Sequence, residues 1–122
     1  MRQQPTQQLE GKRALVVGLG RSGVAAANFL LTQGCSVTAT DRQSVDQLAS
    51  RIAELEGPVT LQLGGHRRED FLASDLIVLS PGVSASLPEL QAARSAGVPL
   101  IGEIELAFRY LPGRYIAVTG SN

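Results

Sequence analysis

Ala14-Leu15-Val16-Val17-Gly18-Leu19-Gly20-Arg21-Ser22-Gly23 is the stretch on which the reading of this chain turns. Its first half is an unbroken run of aliphatic residues, the pattern of a strand buried on both faces, and Gly18 ends the run. Gly18 to Gly23 match G-x-G-x-x-G directly after that strand and at the opening of a helical pattern, the context in which the motif carries meaning. Gly18 permits a tight turn, Gly20 lets the backbone approach a phosphate, and Gly23 lets the helix pack closely on the sheet. The N–H groups near Arg21 and Ser22 would then face an anion, assisted by the helix dipole. The competing reading is a tight strand–helix turn with no ligand.

Working outward, Leu76-Ile77-Val78-Leu79 and Ile116-Ala117-Val118 repeat the buried-strand pattern. Val45, Leu48, Ala49, Ile52 and Leu55 follow helical spacing, as do Ile104, Ala107, Phe108 and Leu111, with Pro112-Gly113 as a stop. Ser86 and Glu89 fit a capping box with Pro88 in the first turn and Gly97 as a C-terminal stop. The patterns predict strands at 13–18, 36–40, 59–63, 76–80, 99–101 and 115–119. Helices are predicted at 21–33, 44–56, near 69–73, 87–96 and 103–111. Alternating βα units of this kind give an α/β fold, a Rossmann-like open parallel sheet with helices on both faces.

Composition narrows the function. The chain has 122 residues, room for one compact domain at roughly 150 residues per domain. Eleven Lys plus Arg against eleven Asp plus Glu give zero formal charge, without the cationic excess that nucleic-acid binding needs. With 43% hydrophobic residues the chain can fill a core, and with three Phe, two Tyr and no Trp that core is aliphatic. Thirteen glycines in 122 residues exceed the usual share of roughly 7%, which suits a small nucleotide-binding unit with many turns. The single Cys35 excludes a disulfide framework and a Cys-based metal site, and the single His66 excludes a paired-His zinc site. No apolar run approaches the ~18 residues of a membrane span. Residues 1–11 are polar and Gln-rich at the start, lack the apolar core of a secretory signal, and read as a flexible tail. The expected compartment is the cytoplasm.

Two further positions join the glycine loop at the carboxyl edge of the sheet, where doubly wound folds bind ligands. Asp41 ends the second strand, where a carboxylate accepts hydrogen bonds from a ribose or base, or else caps the helix near Ser44. Arg42 beside it either meets a phosphate or is solvated. Ser80-Pro81-Gly82 follows the fourth strand, as a wall of the same crevice or as a bare turn. Cys35 reads as a small apolar filler, and His66, without partners for nucleophilic or metal chemistry, as part of a solvated loop. Glu103 and Glu105 sit in a first helical turn, where the dipole favours negative charge.

The last stretch, Tyr115-Ile116-Ala117-Val118-Thr119-Gly120-Ser121-Asn122, runs from an apolar strand into a turn that resembles a phosphate-binding loop cut before its Gly-Lys-Ser/Thr. A buried strand needs partners on both sides, so the chain is expected to be a fragment. Tyr115 to Asn122 would then be disordered or docked on a neighbouring surface.

Four stretches together carry a resemblance: Gly18 to Gly23, Ser80-Pro81-Gly82-Val83, Gly102-Glu103-Ile104-Glu105-Leu106, and Val118 to Asn122. In this order the chain resembles the amino-terminal domain of the Mur ligases. Within them it is most similar to the branch that joins D-glutamate to UDP-N-acetylmuramoyl-L-alanine in peptidoglycan synthesis. The resemblance implies a UDP-substrate-binding domain over 12–112, with 113–122 as the first strand and partial ATP loop of a central ATPase domain. It implies that Gly18, Leu19, Gly20, Arg21, Ser22 and Gly23 cradle the diphosphate, and that Asp41 and Arg42 lie by the uridine. Ser80 and Gly82 would line that pocket, and Thr119, Gly120, Ser121 and Asn122 would begin the ATP loop. The full-length enzyme would use ATP and Mg2+ to make an acyl phosphate that the amine of D-glutamate attacks, with no NAD. It would act as a monomer, away from nucleic acid and membrane. The catalytic residues and magnesium ligands would lie beyond Asn122, leaving this chain inactive alone. The alternative is a nicotinamide-binding domain of an oxidoreductase or sensor module. Its glycine loop and Asp41 would look the same, but it needs no phosphate loop at residues 119–122.

Overall fold

The central strand β1 (Arg13–Val17) alternates its side chains between two apolar layers, which places it in the middle of the structure. This is a computed structural model, and it describes residues 9–110. After β1 come α1 (Arg21–Thr32), β2 (Ser36–Asp41), α2 (Ala49–Ile52), β3 (Thr60–Leu63) and α3 (Arg68–Leu72). Then follow β4 (Leu76–Leu79), α4 (Pro88–Ser95), β5 (Leu100–Gly102) and α5 (Glu103–Tyr110). The five strands lie in the order β3-β2-β1-β4-β5 and every neighbouring pair is parallel. Val17 stands opposite Thr40 on one side and Leu79 on the other, so the carboxyl ends of three central strands finish level.

Ala14 and Val16 of β1 join Val37, Ala39 and Val78 against Val24, Ala27 and Leu30 of α1, with Leu48 and Leu106 in the same layer. Leu15, Val17 and Ile77 pack on the opposite face against Phe71 of α3 and Leu90 and Ala93 of α4. The fold is therefore the expected α/β, Rossmann-like parallel sheet covered on both faces. It follows from the unbroken apolar runs 14–17 of β1 and Leu76–Leu79 of β4, whose alternate side chains feed different layers. α1 and α4 both end on a glycine with positive φ. Gly34 (φ 87) and Gly97 (φ 86) turn the chain so that the N–H of Cys35 returns to Leu30 and that of Val98 to Ala93.

Three local expectations are corrected. The helix predicted over 44–56 is regular only across Ala49–Ile52, and Val45 lies 57% exposed instead of on an inward face. Asn28 of α1 is the reason at the far end: its side chain accepts from the Glu56 N–H at 2.8 Å and donates to the Glu54 carbonyl at 3.1 Å. The capping box at Ser86 and Glu89 is absent. Leu87 precedes α4 without a side-chain cap, and the Ser86 N–H donates to Ser84 Oγ at 3.1 Å. The flexible tail does not extend to residue 11, because Leu9 is buried in the core at 2% exposure and the Gly11 N–H donates to the Gly34 carbonyl. Cys35, by contrast, is the buried filler expected, and burial pushes its thiol pKa up to about 11. The strand expected at 115–119 and the ATP-loop residues Thr119, Gly120, Ser121 and Asn122 lie outside the described residues.

At the amino edge of the sheet, the Arg13 N–H donates to Asp75 Oδ2 at 2.8 Å, and the Arg13 guanidinium lies 3.6 Å away. That backbone hydrogen bond first, and the cation beside it, hold the Asp75 carboxyl below its ordinary 3.8. A pKa depressed by folding stabilises the native state above the ordinary value and loses that effect as pH falls through the folded one. Asp75→Ala should therefore lower the melting temperature slightly near neutrality. Melting curves of the two proteins should converge in acid; a gap that persists there would contradict this account.

Candidate functional site

The sheet order reverses direction between β1 and β4, and the loops after these two strands part at their carboxyl ends to leave a crevice. Gly18 makes the first turn at φ 96, donating its N–H to the Thr40 carbonyl at 2.8 Å and accepting from Ser80 Oγ at 3.0 Å. Ser80 thus fastens the glycine loop to the end of β4. Leu19 then dips into the core with no exposed surface, and its N–H donates to Asp41 Oδ2 at 2.7 Å. The other Asp41 oxygen accepts from the Gln43 N–H at 2.9 Å. Asp41 therefore ties the loop after β1 to the turn after β2, with further lone pairs on both oxygens available to a ligand. It does not cap the following helix. Ser44 and Gln47 close the turn ahead of α2 reciprocally, each side chain accepting from the other's N–H at 3.3 and 2.8 Å, and Leu48 precedes the helix without a side-chain cap.

Gly20 precedes α1 and offers no side chain to cap it. The first intrahelical bond runs from the Val24 N–H to the Gly20 carbonyl. The N–H groups of Gly20, Arg21, Ser22 and Gly23 consequently have no acceptor among the described residues, and α1 carries its dipole uncompensated toward the crevice. Across from them, the Val83 N–H donates to the Ser80 carbonyl at 3.1 Å and closes the Ser80-Pro81-Gly82-Val83 turn.

Between the walls lies a cavity of about 510 Å³. Gly18, Gly20 and Ser22 line it from the glycine loop, Asp41, Arg42 and Gln43 from the end of β2, and Ser80 to Ser84 with Leu87 from the far side. Of the residues singled out in the sequence, Gly18, Gly20, Ser22, Asp41, Arg42, Ser80 and Gly82 thus come together. Leu19 and Gly23 are buried behind the loop, and Arg21 is exposed away from the cavity lining. Arg42 stands exposed at the rim without an ion pair among the described residues. The same residues hold no group of three or more His, Cys, Asp or Glu that could take a metal ion.

His66 is the residue that sequence reasoning missed. It is half-buried and lines the cavity, not a solvated loop. Gly64 (φ 81) and Gly65 (φ 146) fold the chain after β3 back onto the end of β2, where Gly65 bridges Asp41. His66 Nδ1 then lies 2.8 Å from Thr40 Oγ1, and its ring meets Phe71 edge-on at 5.8 Å. Its place just past the carboxyl end of a strand, behind two glycines, was the available signal.

Comparison with known proteins shows the family and the fold. The family described as Mur ligase MurD-like, N-terminal domain, matches residues 12–102. UDP-N-acetylmuramoylalanine–D-glutamate ligase of Koribacter versatilis is 50% identical over 115 residues, covering 93% of this chain and 25% of the relative. The protein of the same name from Acidobacterium capsulatum is 49% identical over 116 residues, covering 94% and 25%. This chain spans about a quarter of the length of the curated relatives it matches. Among solved structures, a pseudomurein peptide ligase type C from Methanothermus fervidus shares the fold, with a TM-score of 0.61 at 24% identity over 82% of this chain and 20% of that one.

Proposed function

Because this chain belongs to the Mur ligase family, as a MurD-like N-terminal domain, we propose that its cavity holds the uridine diphosphate end of UDP-N-acetylmuramoyl-L-alanine. The observation that carries this reading is the uncapped start of α1, whose first N–H groups lack acceptors among the described residues, beside a cavity of about 510 Å³ that Gly20 and Ser22 line. An anion with several oxygens satisfies such donors and complements the dipole. The diphosphate lies against the start of α1, beside Gly20 and Ser22. The nucleoside lies toward Asp41, Arg42 and Gln43, flanked on the far side by the Ser80–Gly82 turn. Backbone donors explain why a domain of zero net charge can serve a dianionic ligand.

The whole protein is then an ATP-dependent ligase that joins D-glutamate to that substrate by an amide bond, acting as a monomer in the cytoplasm. ATP and Mg2+ supply carboxylate activation there. Thr119, Gly120, Ser121 and Asn122 are the residues proposed for ATP, and no Mg2+ ligand is assigned to the described residues. This chain's own part is to anchor the substrate. Among the described residues no helix is long and apolar enough to cross a membrane. A nicotinamide-binding role is not favoured, since the relatives named above are ligases.

Titration of UDP into the 15N-labelled chain is the test. Amide resonances of Gly20, Arg21 and Ser22 are expected to shift together and saturate. Absence of binding at millimolar UDP, with clear binding of NAD, would overturn the assignment.

A further inference from the structure

We propose that His66 is a ligand-binding residue of this cavity, donating an Nε2 hydrogen bond to an acceptor oxygen at the nucleoside end of a bound nucleoside diphosphate. The proposal rests on the uridine diphosphate reading of the site and adds a residue to it. Thr40 sets the tautomer of His66. Its side chain has no exposed surface, so its hydroxyl proton must find an acceptor within the protein. Two are available: His66 Nδ1 at 2.8 Å and the Gly65 carbonyl at 3.5 Å. Nδ1 is much the nearer acceptor, and the hydroxyl proton is assigned to it. An Nδ1 that accepts leaves the neutral imidazole with its own proton on Nε2.

Nε2 has no partner among the described residues, and His66 is one of the residues lining the cavity. Thr40 at Nδ1 and the fully buried Phe71 against the ring hold the imidazole from two sides, so its remaining donor is preorganised. Register fixes which end of the ligand it meets. The uncapped N–H groups belong to the loop after β1, whereas His66 lies where the chain after β3 bridges Asp41 at the end of β2. The diphosphate lies over the first location, and the base and ribose extend toward the second.

The chain contains one histidine, so its imidazole nitrogens can be read without assignment ambiguity in a long-range 1H–15N spectrum of the 122-residue protein. The free protein is expected to show Nδ1 unprotonated and Nε2 protonated, and saturating UDP should move Nε2 more than Nδ1. His66→Asn keeps a polar atom near Thr40 and removes the cavity donor. It should weaken UDP about tenfold, leave inorganic pyrophosphate binding unchanged, and hold the melting temperature within a few degrees. Shifts of the Gly20 and Ser22 amides with a silent His66 ring would overturn the proposal and leave the diphosphate site standing. Equal UDP affinity of a folded His66→Asn variant would do the same. Silence of both ring and amides at millimolar UDP would overturn the site and this proposal together. The ring spectrum uses the unaltered protein, so the proposal stays testable even where the variant fails to fold.

Discussion

Gly23→Ala is expected to destabilise the chain by at least about 3 kcal/mol, enough to lower its melting midpoint by more than ~10 °C. A Cβ built on Gly23 falls 2.0 Å from the Gly18 carbonyl oxygen and 3.0 Å from its carbon, both backbone atoms. Neither side of this contact can retreat cheaply. Gly18 is held by the Thr40 carbonyl at its N–H and by Ser80 Oγ at its oxygen. Gly23 is carried by α1, whose Val24, Ala27 and Leu30 are packed into the sheet. Any relief must shift the helix off its core layer or tear the loop from β4. The sign is informative by itself, because in an exposed helix interior the same exchange gains about 1 kcal/mol from helix propensity. Urea denaturation followed by far-ultraviolet circular dichroism gives the number. A variant as stable as its parent would mean that α1 does not cross the loop this closely.

The strands and the glycine turn were readable because their signals are local. β4 is apolar at every position and β1 at every position after Arg13, which separates a two-sided buried strand from an amphipathic one without reference to anything distant. The roles of Gly18 and Gly23 follow from a turn whose parts lie within six residues. What stayed hidden depends on partners brought together only by folding. Asn28 reaches Glu54 and Glu56 and so ends the helical run that the spacing of Leu48, Ile52 and Leu55 suggests. Asp41 reads in the sequence as a ligand acceptor or a helix cap, and nothing local tells that both its oxygens also accept N–H groups, one from Leu19, 22 residues away. His66 gains its place in the cavity from Thr40, 26 residues earlier, and from Phe71 on the helix after it. At the level of the site, sequence could indicate which loops converge. It could not show which of their polar groups are spent on holding the loops to one another.

Gly20 gives the opposite expectation to Gly23, and the pair separates what the motif does for folding from what it does for binding. Its backbone angles (φ −87, ψ −162) are open to any L-residue, and a Cβ there meets nothing within 4 Å. Gly20→Val should therefore fold, losing no more than about 1 kcal/mol for the poorer helix-capping residue. Binding is another matter. Gly20 lines the cavity at the mouth of the unpartnered N–H groups, so a valine side chain would occupy the space through which a phosphate oxygen approaches them. Loss of two charge-assisted hydrogen bonds at about 1.5 kcal/mol each lowers UDP affinity on the order of a hundredfold. Isothermal titration of UDP into parent and variant, beside their melting curves, measures both quantities on the same samples. A folded Gly20→Val that binds UDP as its parent does would move the diphosphate away from the start of α1. A Gly20→Val that unfolds would mean that the open side of this loop is already filled.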